Sequence, residues 1–283
     1  MKKKSINKIF LFPILLLCLS HMYQGQKKKD IIKSEEIIYY TFDKSNNPVR
    51  RNGIGYDEYK TYSDKGLLQE KSILLWNNDT KNYDQKMIEK YYYKDTLVIK
   101  VERFDYVSGE KHEEIERQFN TGNKLKKKIV RSFDDGKEIF RKNLSFYSTY
   151  EYGNQQEKEK VFEYDESSKD FKLIYTSLSS FDKVNNLLEN RLIDSDNEEY
   201  EVSTYAYNKN KKIIKKTTSK RLPSIINYSY NLNNDITLYS YTSGDYKNDT
   251  IYTYKYDNKG NWIEKTETEG NEKYLITRKI EYY

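Results

Sequence analysis

The chain reads as all-β: an antiparallel meander of repeated hairpins forming an extended or spiralling β-sheet after a cleaved signal peptide. Three observations predict this. Tyrosine contributes 30 of 283 residues while Ala206 is the only alanine, a balance that suits pleated, half-buried surface better than helix. Aromatic-x-aromatic steps recur along most of the chain. Turn-forming residues follow many of those steps.

The first 25 residues are set apart as a signal peptide. Lys2, Lys3, Lys4 and Lys8 precede the apolar run Ile9 to Leu19, which is broken only by Pro13. That run is too short to span a bilayer and fits the h-region of a secretory signal. Cleavage after Ser20 places Cys18 and Ser20 at the two selective positions, and cleavage after Gly25 is the competing site. A lipid anchor on Cys18 is the rival reading. Leu15 supplies the expected leucine, but Leu17 stands where a small residue is wanted just before the cysteine, so the h-region reading is preferred.

Removing the signal empties two arguments. The four lysines leave with it, so residues 26–283 carry 46 Lys+Arg against 44 Asp+Glu, a net +2. The basic cluster Lys124, Lys126, Lys127 and Lys128 is offset by Glu113, Glu114 and Glu116, so nucleic acid is not an expected partner. Cys18 is the only cysteine, which excludes a disulfide or thiolate metal site after cleavage. Residues 26–36 form a short polar segment, and residues 37–283 the repeat domain.

Within that domain the aromatic steps are Tyr40–Phe42, Tyr91–Tyr93, Tyr150–Tyr152, Phe162–Tyr164, Tyr205–Tyr207, Tyr228–Tyr230 and Tyr254–Tyr256. Phe119-Asn120 and Phe181-Asp182 are weaker copies. Most starts lie roughly 20 to 33 residues apart, the spacing of stacked supersecondary units. Apolar residues open the second strand of each unit, as in Leu67-Leu68, Leu187-Leu188, Ile213-Ile214 and Trp262-Ile263, and one of each pair could point to each face. A helix is a weak alternative over Asp84 to Tyr92, and Asp194 to Glu199 reads as the longest loop.

The best-preserved unit is Tyr254-Lys-Tyr256-Asp257-Asn-Lys-Gly260-Asn261-Trp262. Tyr254 and Tyr256 share a strand face, Asp257 opens a type I turn, and Gly260 takes the left-handed position that closes it through a bulge. This unit resembles the YD repeat of RHS-type cell-surface and toxin-carrier proteins. The match is close at Tyr254 to Lys265 and loose over the rest of 37–283. The resemblance implies an extracytoplasmic β structure of the kind that spirals into shells or binds cell walls. Full-size members carry far longer arrays and often a variable toxin domain after them, and no such domain is expected here.

Catalytic chemistry is sparse. His112 sits in a charged segment and reads as a surface histidine, and no cofactor motif is present. Asp194, Asp196 and Glu198 alternate like calcium ligands but lack the glycine of a calcium loop, and read as a solvated turn. Trp76, Trp262 and the tyrosines could stack on a sugar, although cross-strand packing explains them more simply. The expected function is therefore a non-enzymatic, exported protein with a binding or structural role at the envelope or surface. Its expected partners are an envelope glycan or another surface protein, with no transmembrane helix. The alternatives are a carboxylate-dependent glycan-active enzyme, or a surface lipoprotein or toxin-system accessory.

Overall fold

The computed structural model describes residues 31–43, 45–50, 56–77, 82–105, 108–141 and 144–283. The signal peptide and Cys18 lie outside the described residues. Over the rest, 20 strands follow one another with no helix among the described residues. They are β1 (Ile32–Phe42), β2 (Pro48–Arg50), β3 (Tyr56–Tyr62), β4 (Leu68–Asn77), β5 (Asn82–Lys94), β6 (Leu97–Phe104), β7 (Lys111–Phe119), β8 (Leu125–Asp134), β9 (Lys137–Ile139) and β10 (Phe146–Gly153). They continue as β11 (Gln156–Asp165), β12 (Asp170–Phe181), β13 (Leu187–Asp194), β14 (Glu199–Tyr207), β15 (Ile213–Lys220), β16 (Ser224–Tyr230), β17 (Ile236–Ser243), β18 (Tyr246–Tyr256), β19 (Trp262–Glu269) and β20 (Glu272–Tyr282).

Every pairing is antiparallel, and the sheet does not stay open. β20 pairs with β1 over Thr277↔Ile38 and Ile276↔Tyr39, closing an 18-strand barrel. This corrects the expectation of an extended or spiralling sheet. An open array leaves two rows of unpaired backbone groups at its ends, and closure removes both edges. The two short strands β2 and β9 do not add to the ring. Each extends the ladder beside a full-length strand, β2 continuing the side of β1 that pairs with β3, and β9 the side of β8 that pairs with β10. The Asp84 to Tyr92 stretch is a strand, part of β5, because its alternation matches the ladder with β4 and β6. Asp194 to Glu198 is a tight turn between β13 and β14 rather than a long loop.

Register carries the inward and outward sets consistently round the ring. One set contains Ile37, Ile73, Val101, Val130, Val161 and Ile276, all buried, together with Ser148, Ser203, Thr218 and Thr250. The other contains Tyr59, Tyr92, Ile225 and Ile251, all exposed. The crowded set faces the concave side, where side chains converge, so it forms the inner wall. The bulge after a turn splits the paired apolar residues between walls: Leu187 is buried while its neighbour Leu188 is exposed.

Candidate functional site on the inner wall

Five-residue turns of one design recur at both rims. In each, the first side chain accepts the backbone N–H groups of the third and fifth residues, and the fourth residue has positive φ. At Asp257 the donors are Lys259 at 2.9 Å and Asn261 at 2.9 Å, with Gly260 at φ 80°. Asn208 accepts from Asn210 and Lys212 with Lys211 at φ 59°, and Asn231 accepts from Asn233 and Asp235 with Asn234 at φ 64°. Ser63, Asn120 and Asp182 start equivalent turns on the same rim, and Asp43 and Asp194 on the opposite one. Ser, Asn and Asp all serve because the turn needs only a short side-chain acceptor. Asp194 Oδ1 is occupied by its own turn, accepting from the Asp196 and Glu198 N–H groups.

The rim carrying Asp257 has no covalent link between one hairpin and the next, and tyrosines bridge those gaps. Tyr93 donates to the Leu68 carbonyl at 2.7 Å, Tyr152 to Leu125 at 2.8 Å and Tyr207 to Leu187 at 2.8 Å. Tyr230 reaches Ile213 at 2.7 Å and Tyr254 reaches Ile236 at 2.8 Å. Tyr256 joins the neighbouring turn instead, donating to Asp235 Oδ2 at 2.7 Å while Asn231 donates to its hydroxyl at 2.7 Å. Asn261 donates in the same way to Tyr282, whose hydroxyl bonds Asp257. The sequence-predicted residues Tyr254, Tyr256, Asp257, Gly260 and Asn261 are thus placed at one rim, all but Gly260 in bonds between hairpins, and Gly260 bonding the Asp257 carbonyl within its own turn. Trp262 points inward and lies against Arg278 at 5.1 Å and Lys265 at 5.9 Å. The Trp76 side chain lies outside the described residues.

The inner wall divides into two chemical sectors. Across β20, β1, β3 and β4, Glu35 meets Lys60 at 3.0 Å and is bridged to Arg278, while Glu58 meets Lys60 at 2.7 Å and Lys71 at 3.1 Å. Burial alone would raise both carboxyls, but Lys60 and Arg278 hold Glu35, and Lys60 and Lys71 hold Glu58, below the ordinary value. Arg103 continues the network between Glu89 at 2.7 Å and Glu113.

Across β14 to β18 the wall is phenolic. Register places Tyr205, Tyr228, Tyr239, Tyr241 and Tyr252 on it, with the Tyr228 and Tyr239 rings 5.7 Å apart and edge-on. Burial, reinforced by the phenols of Tyr239, Tyr230, Tyr205 and Tyr252, pushes Tyr228 up to about 12. Tyr205 is also pushed up to about 12, chiefly by burial. All five rings are half-buried rather than sealed. Between the two sectors, Glu157 is raised by burial and by the charge of Glu159, while Glu159 bonds the Tyr150 hydroxyl at 2.7 Å and lies 3.6 Å from Lys128. Sequence reasoning named Tyr205 and Tyr228 but not Tyr239, Tyr241 or Tyr252, which stand outside the recurring steps, and not Glu157, because nothing in a lone Gln-Glu-Lys-Glu stretch marks burial. His112 is the bulged residue of β7.

The outer wall carries charge at mid-strand as well as at the ends. Lys255 pairs with Glu264 at 2.6 Å, Lys100 with Glu102 at 3.0 Å, Arg131 with Glu116 at 2.9 Å and Arg191 with Glu189 at 2.6 Å. Among the described residues no helix is long and apolar enough to cross a membrane.

No family model matches the chain, and no curated relative does. Solved structures with similar shape include a porin-like protein from Bacteroides uniformis ATCC 8492. It is 12% identical at TM-score 0.48, over 88% of this chain and 96% of that one. A porin-like protein from Bacteroides vulgatus ATCC 8482 is 12% identical at TM-score 0.30, covering 87% and 98%. TcdB2-TccC3, an RHS-repeat toxin, is 10% identical at TM-score 0.35, and the match covers 81% of this chain and 15% of that one. At these identities and scores the likenesses carry no function across.

Proposed function

We propose that the chain is an exported, non-enzymatic barrel that stands in water at the cell envelope and has a binding role carried by its inner wall. The observation behind this reading is the outer wall. Each Lys or Arg facing lipid at the bilayer midplane costs roughly 2–4 kcal/mol, and Lys100, Arg131, Lys160, Arg191 and Lys215 face outward along their strands. A barrel with charge on both walls has no surface for hydrocarbon. What remains distinctive is the half-open sector of phenols inside, which suits a hydroxyl-rich envelope glycan or a segment of a surface protein.

The test is to express residues 26–283 without detergent and assay both solubility and conductance. The reading expects a monodisperse soluble protein, no conductance in planar bilayers, and co-sedimentation with purified envelope polysaccharide that weakens in Tyr228→Ala. A detergent requirement together with stepwise conductance would replace it with a pore.

A second reading rests on Glu157. A carboxyl raised by burial, with the second carboxyl of Glu159 two residues along the strand, would support carboxylate-dependent action on glycans. The two are neighbours on one strand rather than facing residues across a cleft, which favours the non-enzymatic reading. Chromatography of a glycan incubated with the protein decides it: products formed by the wild type and abolished in Glu157→Gln would establish the enzyme.

A further inference from the structure

The outer wall changes character at β10 to β12. There Tyr147 pairs across the ladder with Phe162, and Tyr164 with Phe171, placing four aromatic rings outward. Tyr147 and Phe162 stack with centroids 4.7 Å apart and planes at 12°. Phe171 meets Tyr147 at 5.2 Å and Tyr164 at 5.6 Å, both edge-on. A fifth ring, Phe140, comes from the segment between β9 and β10 and packs 5.4 Å from Tyr164 while remaining 49% exposed. Beside the rings lies an open cavity of about 380 Å³, lined by Phe140, Tyr147 and Phe171 and by Lys127, Arg131, Glu138 and Asp170. That volume falls in the range of small-ligand pockets.

We propose that this cavity is a binding site for a neutral saccharide of one or two pyranose rings, distinct from the inner wall and independent of the function assigned to it. The lining chooses the ligand class. Two cations and two carboxylates surround the aromatic floor, so an anionic or a cationic ligand would meet its own sign on one side. A purely apolar ligand would strip water from four charged groups without replacing their hydrogen bonds. A pyranose offers an apolar C–H face to an aromatic ring and a girdle of hydroxyls that both donate and accept. Tyr147 is covered by the stacked Phe162 ring and by the Lys127 ammonium 4.9 Å from its centroid, so the platform is Phe140, with Lys127 lining the same cavity as a donor for the hydroxyls of the sugar. Phe140 would carry the apolar face of the sugar, being the one ring of the cluster that remains 49% exposed.

The experiment uses residues 26–283 and saturation-transfer NMR with methyl glucoside, methyl galactoside, N-acetylglucosamine, maltose, cellobiose and chitobiose. Saturation of the C–H protons of at least one sugar is expected. Phe140→Ala should weaken that sugar roughly tenfold with unchanged thermal unfolding, since an exposed aromatic anchor contributes to binding more than to folding. Lys127→Ala should weaken it too, and covers the case in which Phe140→Ala disturbs the fold. Tyr228→Ala on the inner wall should leave it unchanged. No saturation of any of the six sugars at millimolar concentration overturns the proposal. So does binding that survives both outer-wall substitutions, or that is lost only in Tyr228→Ala.

Discussion

The hydroxyl of Tyr254 donates to the carbonyl oxygen of Ile236 at 2.8 Å, joining two hairpins at the rim where no loop connects them. The same bond recurs from Tyr93, Tyr152, Tyr207 and Tyr230. Replacing any one by phenylalanine keeps the ring and removes the bond, and should cost about 0.5–1.5 kcal/mol. Tyr228→Phe is the control, because none of the hydrogen bonds found among the described residues joins its hydroxyl to another residue. Urea unfolding of the variants checks this; equal losses in Tyr228→Phe and Tyr254→Phe would refute the bridging role.

Asp257 accepts two backbone N–H groups and the Tyr282 hydroxyl, so Asp257→Ala strands three donors. A loss of roughly 2–4 kcal/mol is expected, with Asp257→Asn much milder because Asn208 and Asn231 already serve in equivalent turns. Gly260→Asn should likewise be mild, since Asn234 adopts the same conformation, and Gly260→Val severe, because a β-branched residue resists φ near 80°. Chemical denaturation of the four variants ranks them.

Alkaline stability follows from the phenols. Burial raises Tyr205 and Tyr228 to about 12 and pushes Tyr62, Tyr91 and Tyr150 higher still. A raised tyrosine contributes stability that is complete below its unfolded value near 10 and is lost as pH climbs toward the folded value. Ultraviolet titration should therefore show the inner-wall tyrosines resisting ionisation above pH 10, then ionising together as the barrel unfolds. Smooth, independent titration of all of them near pH 10 would contradict an intact inner wall.

On the acid side two effects oppose. Glu35 and Glu58 are lowered, so their contribution is present above their unfolded value of about 4.5 and disappears as pH falls through the folded one. Glu157 is raised, so its carboxylate opposes folding at neutral pH. Glu157→Gln should raise the melting temperature at pH 7, and the gain should vanish below pH 4, where both states are protonated. Scanning calorimetry at pH 3.5 and pH 7 tests this, and a gain of equal size at both would rule out the charge as its cause.

The strands and turns were readable along the chain because both are local. Alternation at Tyr254 and Tyr256 needs only the pleat, and the Asp257–Asn261 turn needs only a short acceptor and one residue tolerant of positive φ. The Asp84 to Tyr92 strand was less plain, since its identity comes from the neighbours β4 and β6 that complete its ladder.

Closure belongs to another scale. Whether β20 turns back onto β1, as in the pairing of Ile38 with Thr277, depends on twist and stagger summed over every intervening pair, and no local pattern encodes that sum. Inside and outside were equally hidden. In an oil-cored sandwich apolar residues mark the inner face, but here Tyr, Glu, Lys and Ser share the inner wall with Ile37, Ile73, Val101 and Ile276, while Thr, Lys and Glu share the outer one with Ile225 and Ile251, so neither wall is set apart by composition. Curvature alone separates them. It gathers Tyr205, Tyr228 and Tyr239 into a half-buried sector and leaves Tyr92 and Ile251 in solvent.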